Sequence, residues 1–312
     1  MSIAVSLYAE PLREEWDRFV RGANNGTIFH LQKFLDYHTR KFNWNHLLFY
    51  RGNELVAVFP CGLDGNTLRS PTGASYGGLV LEPYCSIEIV NAIVQALTTY
   101  CEQESIKEIV LTPPMQVYSR MPDEVQEYAL LQNGFEQIKT QYSSVINLEV
   151  VSLDKGRRSD IRRAKRDGLV VKENKDFEGF FPILVKNKEK YDARPVHTID
   201  EMKKIDALFG AKLFLAVIDG RTIGGLWILP ASKTCAQIFY SASLHEYRRH
   251  NAIVSLVAHA IDWARKGEYR YLDYGVSTDT TTEEDILWSL ARFKERLGGS
   301  GCLRRTYYRK LS

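Results

Sequence analysis

The sequence predicts an α/β (α+β) protein made of two similar domains in tandem, each a mixed, mostly antiparallel sheet flanked by helices. Three observations lead to this prediction: the length of the chain, a series of patterns that occurs twice in the same order, and a constant spacing between the copies. A chain of 312 residues is long enough for two domains, with one large domain as the alternative on length alone.

The first repeated pattern is a β-hairpin. Residues 48–59 contain two apolar runs around Arg51-Gly52-Asn53, and residues 213–227 contain two apolar runs around Asp219-Gly220. Turns of this composition favour hairpins because their central residues tolerate a positive φ.

The second repeated pattern is an amphipathic helix. Apolar residues recur at helical spacing in residues 89–100 and again in residues 253–264, and each series forms one stripe. The two series are in register at a shift of about 164 residues. A short apolar strand follows each helix, at residues 109–111 and 271–274.

The third repeated pattern is a helix that ends at a glycine. Gly134 and Gly298 are again 164 positions apart, and each stands where a helix C-cap glycine is expected. One repeat therefore contains a hairpin, a strand, a helix, a strand, a helix and a strand. We expect domains at residues 1–150 and 151–312, with the boundary just after the strand at 142–148. The alternative is that any α/β chain yields such matches by chance.

Composition narrows the class of protein. The formal net charge of +3 does not indicate a dedicated DNA-binding protein. The five cysteines form no C-x-x-C pair, and the histidines have no metal-ligand spacing, so we expect free thiols and no metal site. The sequence has no signal-peptide pattern and no apolar run of membrane-spanning length, which favours a soluble cytoplasmic protein.

Several segments resemble one enzyme superfamily. The order of elements and the segment Leu131-Gln132-Asn133-Gly134-Phe135 resemble the GNAT acyltransferases. Residues 27–34, the Gly-rich strand at residues 70–80, the basic helix at residues 158–169 and the ending Phe-Lys-x-x-x-Gly-Gly at residues 293–299 resemble the tandem FemX/FemAB aminoacyltransferases and the acetyltransferases grouped with them.

The resemblance implies an N-acyltransferase that moves an acyl or aminoacyl group to an amine, such as a cell-envelope amino sugar or a peptide of a peptidoglycan precursor. The donor would be an acyl-coenzyme A or an aminoacyl-tRNA. The sequence has no sustained heptads for the coiled-coil arm of FemA-type enzymes, which favours coenzyme A. The alternative is a non-catalytic protein of this fold that binds an anionic ligand or a protein partner.

The resemblance places the donor pyrophosphate at the turn before the second amphipathic helix. That turn contains the candidate cofactor-binding residues Arg248, Arg249, Asn251 and Ala252, but it lacks the glycines of the superfamily motif. The alternative is a solvated basic loop in which Asn251 caps the helix. The corresponding residues 82–86 in the first copy contain no basic residue, so we expect no cofactor there.

Three residues are catalytic candidates. Lys294, on a helix whose buried face we expect to contain Leu287, Leu290 and Phe293, would act as a fixed positive charge. Asp273, at a strand end, would orient an amine or accept its proton, and Tyr240 would protonate the leaving group. The respective alternatives are an exposed helical lysine, a strand-end residue that bonds local backbone, and a core tyrosine.

Five further residues are candidates for binding the substrate. Arg158 and Arg162 share one face of a basic helix, Tyr191 and Arg194 lie in an expected loop, and Tyr76 lies in the Gly-rich segment. The alternative for the basic helix is a solvated face.

Overall fold

The computed structural model describes residues 2–38, 42–190, 192–279, 282 and 285–311. The chain folds into two compact units. Unit 1 consists of residues 1–141 together with residues 303–312, and unit 2 consists of residues 142–302. The last residues of the chain therefore belong to the same unit as the first. A compact unit need not coincide with a repeat, so the repeat boundaries 1–150 and 151–312 stay a prediction.

Unit 1 contains strands and helices in an order that begins with a strand and an amphipathic helix. They are β1 (Ala4–Leu7), α1 (Arg13–Gly22), α2 (Gln32–Leu35), β2 (Asn43–Trp44), β3 (Leu47–Arg51), β4 (Glu54–Phe59), β5 (Gly62–Asp64), β6 (Thr67–Ser70), β7 (Val80–Leu81), α3 (Ile87–Gln103), β8 (Glu108–Leu111), α4 (Val125–Gln132) and the first half of β9 (Glu136–Asn147). One sheet has the order β1-β3-β4-β7. In a second set, β2, β5, β6 and β8 are neighbours in that order.

The core of unit 1 forms around α3, whose buried stripe includes Ile93 and Leu97. A smaller cluster lies under α1, where Trp16 is fully buried and donates from Nε1 to the carbonyl of His30 at 2.7 Å. That bond satisfies the indole N–H, which would otherwise be costly to bury.

Unit 2 contains the second half of β9 and the elements that follow it. They are α5 (Lys155–Arg166), β10 (Val170–Asn174), α6 (Phe177–Glu189), α7 (Ile199–Phe209), β11 (Lys212–Ile218), β12 (Arg221–Leu229), β13 (Cys235–Ser243), α8 (Ala252–Lys266), β14 (Tyr271–Val276), α9 (Trp288–Glu295) and the start of β15 (Gly299–Lys310). The strand order is β10-β11-β12-β13-β14-β9-β15. The rest of β15, which pairs with β8, lies in unit 1.

Helices α6 and α8 lie on opposite faces of the unit 2 sheet. Neighbouring residues of β11 point to opposite faces. Phe214 contacts Trp263 of α8, whereas Leu215 lies on the same side as Phe180 of α6. A Cβ at Gly225 would come within 2.4 Å of the Phe180 ring, so this glycine allows α6 to pack closely on β12.

The predicted fold class is confirmed: both units contain mixed, mostly antiparallel sheets with helices. The hairpins are β3–β4 and β11–β12, and Gly52 and Gly220 have the positive φ that their turns require. The two amphipathic helices are α3 and α8. Gly134 (φ 73°) directly follows the C-cap residue of α4, and Gly298 (φ 93°) lies two residues beyond the C-cap of α9.

Candidate active site

A gap between two parallel strands is the central feature of unit 2. Strands β13 and β14 pair only from Cys235 with Tyr271 to Gln237 with Asp273. Both strands continue beyond this pair, β13 to Ser243 and β14 to Val276, so they separate toward their carboxyl ends. The carboxyl ends of parallel strands are where open α/β sheets commonly bind ligands.

Asp273 lies at the point where the two strands part, and its side chain is fully buried. Its carboxylate accepts hydrogen bonds from the Ser143 hydroxyl at 3.0 Å, the Gly275 amide at 2.8 Å and Gln237 Nε2 at 3.4 Å. A buried charge needs such partners. The alternative prediction, a strand-end residue that bonds local backbone, accounts for the bond to Gly275 but not for the other two.

Lys294 is buried, with 4% of its surface exposed. The ammonium group donates to the carbonyls of Gly275 and Val276, each at 2.7 Å, and lies 5.5 Å from the centre of the Tyr274 ring. Burial lowers the pKa of Lys294 to about 8, the Lys188 charge lowers it further, and Asp273 opposes this shift. The ammonium group of Lys294 therefore lies at the carboxyl end of β14.

The predicted buried face of the Lys294 helix is found in part, since Phe293 packs against the core of unit 2. In α9 the buried residues are Ala291 and Lys294, whereas Leu290 and Phe293 are only partly buried and Leu287 precedes the helix as its N-cap. The exposed-lysine alternative is wrong. The helix begins at Trp288, after Leu287, which we had expected within it. The Lys294 ammonium group lies at the end of β14, where the carbonyls of Gly275 and Val276 take the place of water around its charge.

The turn before α8 is a 3₁₀ helix, His245–His250, followed by Asn251 in the left-handed conformation (φ 49°, ψ 43°). Ala252 is the first residue of α8. Asn251 occupies the N-cap position, but its side chain makes no capping hydrogen bond, so the predicted side-chain cap is not observed. A single left-handed residue without glycine is uncommon and is tolerated best by Asn.

The arginines of this turn are exposed and each contacts a histidine. Arg248 Nη1 lies 3.2 Å from His245 Nε2, and Arg249 Nε donates to His250 Nε2 at 3.0 Å. Both guanidinium groups therefore lie at the start of α8, where unpaired backbone amides and the helix dipole favour an anion.

The hydroxyl of Tyr240 holds the segment that follows α6. It accepts hydrogen bonds from the Val196 amide at 3.0 Å and the His197 amide at 3.3 Å, and it lies 3.0 Å from His197 Nδ1. Burial raises the pKa of Tyr240 to about 12. These contacts match the core-tyrosine alternative, and proton donation by Tyr240 stays a prediction.

Sequence reasoning missed Ser143, Gln237 and Ser277. Each is buried, and Ser277 Oγ and Gln237 Oε1 have no hydrogen-bond partner among the residues that the structure describes. A polar residue inside the otherwise apolar strand at 235–240 was the available signal for Gln237. Ser143 had no such signal, since its partner is distant in sequence.

The remaining candidates do not join this group. Arg158 and Arg162 are exposed on α5, as in the solvated-face alternative, and Asp160 of the same helix pairs with Arg157 and Arg163 at 3.0 Å each. Arg194 is exposed. Tyr191 lies outside the described residues.

Tyr76 belongs to unit 1, where it is buried in an aromatic cluster. Its ring centre lies 4.9 Å from that of Tyr118 and 6.1 Å from that of Phe29, and the Arg304 guanidinium lies 5.5 Å from it. Binding of substrate by Tyr76 stays a prediction.

In unit 1, side-chain amides bond the backbone at β7 and just before it. Gln126 Oε1 accepts from the Leu79 amide at 2.6 Å, and Asn25 bonds the Leu79 carbonyl at 2.8 Å and the Leu81 amide at 2.9 Å. The Leu79 and Leu81 amides and the Leu79 carbonyl are therefore paired within unit 1, and the expectation that the first copy binds no cofactor stays a prediction.

Within the described ranges, no group of three or more His, Cys, Asp or Glu side chains is placed to hold a metal ion. None of the described helices combines the length and apolar character that crossing a membrane requires.

Comparison with known proteins gives a family match in the second half of the chain. Residues 155–295 match the family described as acetyltransferase (GNAT) domain. No curated protein matches the sequence significantly. The predicted resemblance to the GNAT superfamily is thus confirmed for the second half of the chain.

Solved structures extend the similarity to the whole chain. FemX is 16% identical, with a TM-score of 0.72 over 99% of this chain and 97% of that chain. L-PGS from Bacillus licheniformis is 12% identical, with a TM-score of 0.62 over 95% of this chain and 91% of that chain. A tandem GNAT protein from the clavulanic acid biosynthesis pathway is 12% identical, with a TM-score of 0.56 over 99% of this chain and 98% of that chain. At such low sequence identities the similarity shows the fold alone: this chain has the fold of FemX and of the tandem GNAT protein.

Proposed function

We propose, from the acetyltransferase (GNAT) domain at residues 155–295, that this protein is an N-acyltransferase that moves an acyl group from a coenzyme A thioester to an amine. The observation that carries the proposal is the separation of β13 and β14 beyond Gln237 and Asp273, with Lys294 beside it. A gap between strands can admit an extended thioester arm, and charged groups beside it can act on the reacting carbonyl.

The donor would bind from the α8 side. The first backbone amides of α8, with Arg248 and Arg249, would hold the pyrophosphate. Asn251 and Ala252 would give the phosphate a close approach to the backbone, since Ala252 has a small side chain. The thioester would then lie between β13 and β14.

The acyl transfer step would use Asp273 and Lys294. The amine of the acceptor attacks the thioester carbonyl, the C–N bond forms, the C–S bond breaks and the thiol leaves with one proton. Asp273 would orient the amine and Lys294 would stabilise the developing oxyanion, since only two of its three N–H groups are used by carbonyls. Tyr240 is the remaining candidate for protonating the thiolate.

The acceptor would be an amine of a cell-envelope amino sugar or peptide, and the donor alternative is an aminoacyl-tRNA. Both follow from the likeness to FemX-type proteins. We place the protein in the cytoplasm, because its described cysteines are free thiols and four of the five are buried.

A second candidate function is binding without catalysis. Two observations favour it: the turn before α8 has no glycine, and Arg248 and Arg249 are each directed at a histidine. In that case the protein would bind an anionic ligand or a protein partner without transferring an acyl group.

The test is calorimetry with acetyl-coenzyme A, followed by assays of acyl transfer to a panel of amines. We expect binding by the wild type and at least tenfold weaker binding by the double variant R248Q/R249Q. R158Q is the matched control, because it removes an exposed arginine of the same unit. If the protein binds neither acetyl-coenzyme A nor aminoacyl-tRNA, the second candidate is favoured over the first.

A further inference from the structure

Gln237 stands in the last residue pair between β13 and β14, opposite Asp273. It is buried, with 8% of its surface exposed. Gln237 Nε2 donates to Asp273 Oδ2 at 3.4 Å, but Gln237 Oε1 has no hydrogen-bond partner among the residues that the structure describes. A buried amide oxygen that has lost its bonds to water and gained none is unfavourable. Gln237 Oε1 is therefore an acceptor that a bound molecule can use.

The orientation of the Gln237 amide is fixed by its neighbour. The Asp273 carboxylate accepts from the Ser143 hydroxyl and the Gly275 amide, both at Oδ1. A carboxylate cannot donate, so only the NH2 group of Gln237 can face it. The oxygen is then the end of the amide that is turned away from Asp273. The two side chains together present a charged acceptor and a neutral one.

Gln237 and Asp273 lie on the α6 face of the unit 2 sheet. Ala236 and Ile238, on either side of Gln237, belong to the core that contains the buried residues of α8. Neighbouring residues of a strand point to opposite faces, so Gln237 points toward the α6 side, and its bond to Asp273 places that carboxylate there too. The proposed pyrophosphate site is at the start of α8. The two substrates would thus reach the gap from opposite faces of the sheet.

A second buried polar atom on the same face also lacks a partner. Trp227 of β12 is fully buried, and its Nε1 has no hydrogen-bond partner within the described part of the chain. Leu226 and Ile228, on either side of it, belong to the α8 core, so the indole points to the α6 face. Strands β12 and β13 are paired neighbours. Buried polar atoms are normally paired, so an acceptor and a donor left over on one face indicate a polar ligand there.

We propose that Gln237, together with Asp273, selects a primary amine as the acceptor by accepting one of its N–H bonds. The proposal rests on the proposed function for the reaction in which the amine is used. Two acceptors side by side need two donor hydrogens on one atom of the ligand. A primary amine supplies them, whereas a hydroxyl has only one, so an alcohol in this site leaves a buried acceptor unpaired. Gln237 is thus a residue that determines specificity for nitrogen over oxygen.

The experiment compares amines with their hydroxyl analogues by the melting temperature of the whole protein. Glucosamine is paired with glucose, and glycinamide with glycolamide, at constant pH and ionic strength. A compound that binds the folded state raises the melting temperature. We expect at least one of the two amines to bind the wild type about tenfold more tightly than its hydroxyl analogue.

The variant Q237M keeps the length of the side chain and removes both of its hydrogen-bonding groups. It should bind the effective amine about tenfold more weakly than the wild type and leave binding of the hydroxyl analogue unchanged. Its melting temperature without ligand should be close to that of the wild type, because the change removes an unsatisfied oxygen together with a long hydrogen bond. In acyl-transfer assays Q237M should raise the KM of the amine and leave the KM of acetyl-coenzyme A unchanged.

The matched control is Q126M in unit 1. Gln126 is also buried, but its oxygen accepts from the Leu79 amide at 2.6 Å. Q126M should therefore lower the melting temperature, because that amide loses its acceptor, and should bind the amine as the wild type does.

The outcomes separate this proposal from the proposed function. If the wild type binds neither amine better than its hydroxyl analogue, or if Q237M binds the amine as tightly as the wild type, the role of Gln237 is overturned, even where acetyl-coenzyme A binds and an amine is acylated. A less stable Q237M with unchanged amine affinity would also overturn it, since Gln237 Oε1 would then be satisfied by a buried water. If an amine binds through Gln237 but no acyl donor binds, the amine site stands and the proposed transferase activity does not.

Discussion

The hydroxyl of Ser143 donates a 3.0 Å hydrogen bond to the carboxylate of Asp273, although the two residues are 130 positions apart in the chain. The antiparallel pairing of β9 with β14 brings them together. The candidate catalytic carboxylate is therefore oriented in part by a strand that enters unit 2 from the first half of the sequence.

Replacing Ser143 with alanine should lower the free energy of unfolding by about 2 kcal/mol, because a hydrogen bond to a charged group is lost. Urea denaturation measures this change. Ser144→Ala is the matched control: Ser144 is also buried, but its hydroxyl has no partner among the described residues, so its removal should be close to neutral. Equal losses in the two variants would contradict the role given to the Ser143 bond.

The rate of acyl transfer should depend on the charge of Lys294. Its pKa is lowered to about 8, mainly by burial, so the group loses its positive charge as the pH rises through about 8. If the charge stabilises an oxyanion, kcat falls over that range and K294A is nearly inactive although folded. A rate that rises through pH 8 would instead indicate a neutral amine acting as a base.

The same lysine should give the protein a pH-dependent stability. Its folded pKa lies below the unfolded value of about 10.4, so the unfolded chain binds more protons between about pH 8 and pH 10.4. The free energy of unfolding of the wild type should therefore rise with pH in this window relative to K294M. If the free energy of unfolding of the wild type, relative to that of K294M, stays constant or falls as the pH rises through this window, burial does not penalise the charged form of Lys294.

Tyr240→Phe distinguishes a structural role from a catalytic one. Removing the hydroxyl leaves the Val196 and His197 amides without their acceptor, which should cost about 1–3 kcal/mol of stability. We expect a higher KM with little change in kcat, because the segment after α6 loosens. A fall in kcat at constant KM and constant stability would support protonation of the leaving group by Tyr240.

Substitutions at Asn251 test the turn that lacks glycine. The residue has a φ of 49°, where glycine carries no steric penalty and alanine costs about 1–2 kcal/mol. N251G should therefore be at least as stable as the wild type and retain acetyl-coenzyme A binding, whereas N251A should lose both stability and affinity. Loss of binding in N251G with full stability would mean that the asparagine side chain itself contacts the donor.

Much of the fold was predictable because its signals are local. The turns at Gly52 and at Gly220, and the apolar stripes of α3 and α8, follow from turn chemistry and from helical periodicity. The limits of α9 were less predictable, since the helix starts after Leu287 and buries a lysine that no periodicity identifies.

The candidate site was only partly predictable. Resemblance to a family identified Lys294 and Asp273, and a polar residue inside an apolar strand was a signal for Gln237, but Ser143 has no local pattern that marks it. Gln237 and Ser143 became candidates because the pairing of β13 and β9 with β14 brings them to Asp273.

The sequence by itself determined that similar α/β patterns occur twice and that the second copy contains the basic turn, because periodicity, turn residues and charge are properties of neighbouring positions. Only the tertiary structure decided that Lys294 is buried, that Asp273 is bonded by Ser143 and Gln237, and that Arg158 and Arg162 stay on the surface. The physical reason is that the burial and pairing of a charge depend on groups that the fold brings together from distant parts of the chain.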